Sequence, residues 1–263
     1  MDEVVLVPVT ALGQAEDGKY YINKTKDEIY LIESSCNIVV KDGVFAKFID
    51  KTKNQEVSIL GLKDSSIQYY VLNSTSTKRI FDIHGEVNVL EISVANTEES
   101  LNINLLEENS IANVENLSVL SKVSSTYTQR IDHKMGQTFS NIKNVGVAMN
   151  GSTLVFDTTG KIEKGMAKAK CSQLSRGVVM DNESQITAKP ILLIDEYDCF
   201  ANHGASIGKM SDEDLFYLMS RGLTKKEAFL LILEGIVRPF INAIPKEELR
   251  VQMEKEIFER LGE

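Results

Sequence analysis

Between about residue 28 and residue 198, apolar and polar side chains alternate in short runs separated by Asn, Asp, Ser, Gly and Thr. Val87-Asn88-Val89-Leu90-Glu91-Ile92-Ser93-Val94 is one run, and Leu101-Asn102-Ile103-Asn104-Leu105 is another. Leu117-Ser118-Val119-Leu120 and Ser152-Thr153-Leu154-Val155-Phe156 repeat the texture. A period of two sends alternate side chains to opposite faces of a strand, one buried and one wet. Turn residues at this density predict many short strands. Sandwiches, barrels and β-solenoids all share the pattern. An internal echo favours the solenoid. Ser110-Ile111, Lys161-Ile162 and Gln185-Ile186 each follow a polar turn, and the last two lie 24 residues apart (185 − 161), within the range of known repeats.

The last fifty residues change period. Ser211 with Asp214 and Thr224 with Glu227 match the capping box, in which an N-cap hydroxyl and an N3 carboxylate satisfy free backbone donors. The first predicted helix carries Leu215, Phe216, Leu218 and Met219 and stops at Gly222. A second, from Ala228 to Val237, should break near Pro239. A third should start at Pro245, with Leu249, Met253, Ile257 and Leu261 as a narrow apolar stripe that needs a partner. So small a helical unit must pack on the β body or on another protein. The first eighty residues read as strands, with a cap that protects the solenoid edge.

Composition narrows the function classes. A chain of 263 residues with 43% hydrophobic and 25% charged residues can bury a sizeable core. The net charge of −9 argues against nucleic acid or an anionic membrane as partner. The densest basic stretch, Lys161 to Lys170, is interrupted by Glu163 and reads as a solvated face. No apolar run approaches the roughly 20 residues of a membrane span, and Met1-Asp2-Glu3-Val4-Val5-Leu6 does not resemble a signal peptide. Three scattered cysteines, Cys36, Cys171 and Cys199, make no disulfide framework, so a reducing, cytoplasmic setting is expected. CxxC and HExxH pairs, a nucleophile elbow, a Walker A loop and GxGxxG are all missing from the sequence, and no catalysis of the ordinary kind is expected. With no Trp and 7% aromatics, a carbohydrate-cleaving solenoid is a poor fit.

Several short motifs then occur together in order. They are Lys189-Pro190-Ile191-Leu192-Leu193-Ile194, the expected turn His203-Gly204-Ala205, and Leu215-Phe216-Tyr217-Leu218 followed by Ser220-Arg221-Gly222. Asp132-His133 and Gly160-Lys161-Ile162 add weaker matches upstream. In these features the chain resembles the SufB/SufD family of iron–sulfur cluster assembly scaffolds, over Arg130 to Ile236 and more faintly back to Glu28. The resemblance implies a mainly β protein, a right-handed parallel β-helix with a small C-terminal α-helical domain. It divides the chain into an N-terminal segment or cap (1–27), a β-helix core (28–205) and a helical domain (206–263). It implies docking on a SufC-like ABC ATPase through the helical domain, and pairing through late β-helix strands with a second copy or a SufB-like sibling. There a transient iron–sulfur cluster would form. The chain is short for the family and leans toward SufD, or toward an ancestral type.

Candidate site residues follow from this likeness. His203 is the first candidate cluster ligand, since imidazole suits iron and stays neutral near pH 7; on residues alone it is a turn histidine bonded to backbone. Cys199, four residues earlier, is either a soft thiolate ligand or a small buried hydrophobe, and the family's nearest cysteine falls at Ala201. The family's other cysteine aligns with Ser175. Cys171 lies four residues before that, about 13 Å along a strand, and is the possible substitute. Cys36 reads as buried structure, His133 as a structural hydrogen-bonding group and His84 as surface. Asp195, Glu196 and Asp198 read as a solvated strand end rather than a metal site. Phe216, Arg221 and Phe229 are the candidate ATPase-docking residues. The rival expectation is a metal-free interaction subunit that docks the ATPase while a sibling supplies every cluster ligand. Ser175 in the cysteine place supports it.

Overall fold

The alternating segments wind into a two-sheeted coil, seen in a computed structural model that describes residues 5–262. In chain order the strands are β1 (Val5–Pro8), β2 (Tyr20–Ile22), β3 (Glu28–Ile32), β4 (Cys36–Val40), β5 (Phe45–Asp50) and β6 (Glu56–Gly61). They continue as β7 (Ser66–Leu72), β8 (Lys78–Ile83), β9 (Glu86–Ser93), β10 (Thr97–Leu105), β11 (Ile111–Ser121) and β12 (Ser124–His133). The last are β13 (Phe139–Met149), β14 (Thr153–Ile162), β15 (Lys170–Val179), β16 (Gln185–Ile194) and β17 (Phe200–Lys209). Odd-numbered strands form one nine-stranded sheet and even-numbered strands an eight-stranded one, each in ladder order. All strand pairings are parallel. The chain is therefore a parallel β-helix, neither sandwich nor barrel.

The 24-residue echo does not survive. Lys161 pairs with Leu193 and Gln185 with Thr153, so the two dipeptides occupy different places on their rungs. The coil has no fixed period. Ile29 pairs with Lys47, a step of 18 (47 − 29), whereas Ser140 pairs with Cys171, a step of 31 (171 − 140). Rungs widen toward the C-terminal end, and self-similarity blurs accordingly.

Inward side chains stack rung on rung. Tyr30, Phe48, Tyr69 and Phe81 form an aromatic ladder with centroids 5.7, 6.1 and 4.9 Å apart. Beside it sits a buried ionic network. Arg79 Nε donates to Asp50 Oδ2 at 2.7 Å and Nη1 to Glu99 Oε2, while Tyr69 Oη donates to Asp50 Oδ2 at 2.6 Å. Burial of such charges requires this degree of pairing.

Three helices follow: α1 (Asp212–Ser220), α2 (Lys225–Asn242) and α3 (Glu247–Gly262). Thr224 and Glu227 form the reciprocal capping box, with Thr224 N donating to Glu227 Oε2 at 2.8 Å. At α1 Ser211 Oγ accepts from Asp214 N at 3.2 Å. The predicted break at Pro239 is absent, and α2 runs through it to Asn242. A mid-helix proline costs about 3 kcal/mol by removing a donor and crowding the carbonyl four residues back, here that of Gly235. Phe240 and Ile241 lie just beyond and are buried against the sheet. Each contributes roughly 1.5–3 kcal/mol, enough to hold the helical course. The third helix begins two residues after Pro245.

The apolar stripe finds its partner on the outside of the nine-stranded sheet. Leu249, Met253, Ile257 and Leu261 join Leu233, Val237, Phe240 and Ile241 against Leu90, Ile92, Leu117, Val119, Val145 and Val147. The second halves of β9, β11 and β13 are thus covered on both faces and are buried without a break, polar positions such as Glu91 and Ser118 included.

Candidate functional site at the open end of the coil

Strands β16 and β17 are the outer edges of the two sheets at the C-terminal end of the coil. No described strand pairs with their far sides. Each is ten residues long, and their faces leave Ile191, Leu193, Phe200 and Ile207 exposed, Phe200 by 59%. Long edge strands with unpaired backbone groups and apolar side chains are templates for pairing with another chain.

His203 stands in the middle of β17. The expected turn at His203-Gly204-Ala205 is instead extended strand. Parallel pairing with β15 draws this stretch straight, and an added Cβ at Gly204 would meet only Leu174 Cδ1, at 3.5 Å. His203 is in register with Gln173, which is in register with Ile142. These positions share the inward parity of the rungs. Because β17 is the last rung of its sheet, that parity exposes the ring at the mouth of the coil.

The register also places the other candidates. Cys171 is opposite Ala201, two residues before His203 on the same face. Two residues along and one strand across correspond to a Cα separation of about 8 Å. Cys171 is 1% exposed and packs with Ile162, Ala169, Met166, Leu192, Cys199 and Ala201. Room for its sulfur comes from Gly160 on the facing sheet, where a Cβ would sit 2.4 Å from Cys171 Sγ. Cys199 lies in the loop before β17, so strand parity does not tie it to His203; its Sγ donates to Glu196 O at 3.2 Å. Burial pushes both thiols up from their ordinary pKa, and Glu196 and Asp198 add to the effect at Cys199. Both are protonated thiols near neutral pH, the less reactive form. Ser175 is buried, points inward and pairs with Ala205.

Gln173 is the neighbour that sequence reasoning missed. Its Nε2 donates to Ile191 O at 3.2 Å across the interior, and its Oε1 has no partner. Its parity with Cys171 and Ser175 was the available signal. The acidic trio divides. Glu196 accepts from the backbone N–H groups of Gly165 at 2.7 Å, Tyr197 at 2.8 Å and Asp198 at 3.0 Å, which holds its carboxyl below the usual range. That carboxylate staples a loop. Among the described residues there is no cluster of three or more His, Cys, Asp or Glu side chains arranged for a metal ion.

Elsewhere, Phe216 is 74% exposed on α1 beside Tyr217 and Met219. The Arg221 guanidinium lies 5.2 Å over the Tyr217 ring. Phe229 differs, since it packs against the cluster beneath the helices. His84 sits half-exposed with Nδ1 3.5 Å from Glu107, and Cys36 is half-buried against the main core. Among the described residues no helix is long and apolar enough to cross a membrane.

Comparison with known proteins places this architecture. Residues 28–236 match the family model described as SUF system FeS cluster assembly, SufBD core domain. The iron-sulfur cluster assembly protein SufD of Bacillus subtilis is 41% identical over 108 residues, 41% of this chain and 25% of that protein. A SufBD family protein of Pyrococcus horikoshii is 37% identical over 103 residues, 38% of this chain and 22% of its own. One from Mycobacterium tuberculosis is 33% identical over 115 residues, 44% of this chain and 14% of its own. The matched segments thus span a quarter or less of these relatives.

Proposed function

Because the chain belongs to the SufBD family of iron–sulfur cluster assembly proteins, we propose that it is a scaffold subunit whose open coil end pairs with a second copy or a related sibling. The nascent cluster is its cargo, held transiently at that seam. The observation that carries this reading is His203, exposed on the inward parity of a ten-residue edge strand that also exposes Phe200 and Ile207. Edge pairing would bury β16 and β17 and bring His203 to the junction, where a second chain could complete a ligand set. The exposed Phe216 and Arg221 of the α1 region fit an ABC-type ATPase partner, which would supply the energy that no motif in this chain provides. A cytoplasmic setting fits the three free cysteines.

Anaerobic reconstitution with iron, sulfide and the ATPase tests the proposal. The folded, partner-bound protein should develop a cluster absorption band, and His203→Ala should reduce it severalfold without altering the far-ultraviolet circular dichroism. A full cluster signal in His203→Ala, or none in the native chain under any condition, rejects His203 as a ligand.

A second reading has its own support. Ser175 occupies the family's cysteine place, and Cys171 and Cys199 are thiols held away from ionisation. On that reading the chain docks the ATPase and its sibling supplies all ligands, and His203→Ala leaves cluster yield in the mixed complex unchanged.

A further inference from the structure

The interior is not uniformly dry. A polar column starts at Glu91 on β9 and follows the register through Asn116 on β11, Asn144 on β13 and Ser175 on β15 to Ala205 at the open edge. Adjacent rungs are about 4.8 Å apart, so the four steps from Glu91 reach the mouth in about 19 Å. From the facing sheet Tyr127, Gln129 and Thr158 project into the same space, and Asn144 Nδ2 donates to Thr158 Oγ1 at 3.2 Å. Ser118 Oγ donates to Asn116 Oδ1 at 2.9 Å.

Four atoms along this column are buried and without a hydrogen-bond partner: Gln129 Nε2 and Oε1, Asn144 Oδ1 and Gln173 Oε1. Each belongs to a side chain at most 2% exposed. Asn116 hydrogen-bonds the Glu91 carboxyl, and Tyr127 Oη lies within hydrogen-bonding reach of Ser93 and Ser118. Buried polar groups are satisfied in nearly every folded protein, and clusters of them are where internal water resides. The column runs between two apolar walls, one containing Val89, Val114, Ile142 and Ile131, the other Leu120, Ala148 and Leu154. Toward the N-terminal end it is shut by Val71, which sits in register between Glu91 and Asp50, and by the fully engaged Asp50–Arg79–Glu99 network. Toward the C-terminal end it continues through Asn144 and Ser175 to Gln173 and the open end.

We propose that the solenoid interior between Glu91 and Gln173 holds a continuous file of water molecules that carries protons between the Glu91 carboxyl and the open C-terminal end. Glu91 is suited to such a store. Burial first, and then the Glu99 carboxylate, push it up to about 8, against the opposing pull of Arg79; Asp50 and Tyr127 are the other titratable groups that face it. Burial beside a second carboxylate therefore favours the protonated form of this carboxyl.

Infrared spectroscopy of the full chain tests this without any cluster, so its outcome is independent of the assembly role. At neutral pH the protonated-carboxyl stretch should vanish in Glu91→Gln, which assigns it. On mixing into deuterated buffer, that band should shift rapidly in the native protein. In the double variant Gln173→Met with Ser175→Val, which plugs the mouth at similar volume, the shift should be roughly tenfold slower or more, because a relay fails when its bridging waters are displaced. Equal rates in both proteins, or no band lost in Glu91→Gln, overturn the proposal. Should the double variant not fold, a high-resolution crystal structure of the native chain decides. Waters within hydrogen-bond reach of both Gln129 amide atoms, Asn144 Oδ1 and Gln173 Oε1 support the file. The same atoms paired to one another with no water between them refute it.

Discussion

His133 gives this fold a built-in acid sensitivity whose size follows from the structure. The ring is fully buried, with Nδ1 2.7 Å from Thr138 Oγ1 and Nε2 2.8 Å from Ser140 Oγ. Thr138 Oγ1 donates its own proton to Met135 O at 2.9 Å. It must therefore accept from Nδ1–H, which leaves Nε2 to accept from Ser140. Protonation at Nε2 would charge a buried ring and turn the Ser140 contact donor against donor unless that hydroxyl rotates. Burial pushes the ring pKa down to about 4, with Asp132 opposing. In the unfolded chain the value returns to 6.5. Between these values the unfolded state binds more protons, so stability is complete above pH 6.5 and is lost as pH falls toward 4. The full shift of 2.5 units (6.5 − 4) corresponds to about 3.4 kcal/mol, of which about 2 kcal/mol has gone at pH 5. Urea titrations of the native protein and His133→Gln at pH 7.5 and pH 5 isolate this share, because other carboxyls titrate alike in both. The native protein should lose about 2 kcal/mol more than the variant over that interval. Parallel losses within about 0.5 kcal/mol would mean that the ring accepts its proton without penalty, and the burial argument would fail.

Two further outcomes test the interior. Arg79→Met strands the Asp50 and Glu99 carboxylates in the core and should cost about 3–5 kcal/mol by denaturant titration; the deficit should shrink in acid, where those carboxylates protonate, and a deficit that does not vary with pH counts against the ionic reading. Gly160→Ala drives a methyl to within 2.4 Å of Cys171 Sγ and should cost about 1–3 kcal/mol. Adding Cys171→Ala should recover much of that loss in a double-mutant cycle, and strict additivity would show that the two sites do not touch.

Strand existence is readable from the chain because most strands have one buried and one wetter face. The Leu101, Ile103, Leu105 alternation of β10 survives intact as a buried column. Rung assignment is not readable, because the step between paired residues drifts from 18 (47 − 29) to 32 (185 − 153) as the coil widens. The same drift hides the ionic network. Arg79 lies 29 residues from Asp50 and 20 from Glu99, spacings that correspond to no local motif. Helix starts are written in Thr224 and Glu227, whose hydrogen bonds close within four residues. The behaviour of Pro239 is not, since what holds α2 straight is a sheet face assembled from residues far upstream in the chain, from Val147 back to Leu90.

The candidate site divides along the same line. Motif order singled out His203, and parity along one strand could have singled out Gln173, because both are properties of a single segment. Which thiol stands near His203 is a property of two segments and of their register. Counting back from Ser175 put Cys171 about 13 Å away along one strand. Pairing β15 with β17 sets Cys171 opposite Ala201 instead, one diagonal step from the ring. The nearness carries a chemical consequence opposite to that expected of a ligand. The packing that brings Cys171 close is a closed apolar cluster with Gly160 facing it, and it keeps the sulfur protonated. A cluster ligand must shed that proton. If Cys171 ever binds iron, the β16–β17 end must first open enough to admit water and metal. On the proposed function, pairing of the β16 and β17 edges is the event that would control that movement.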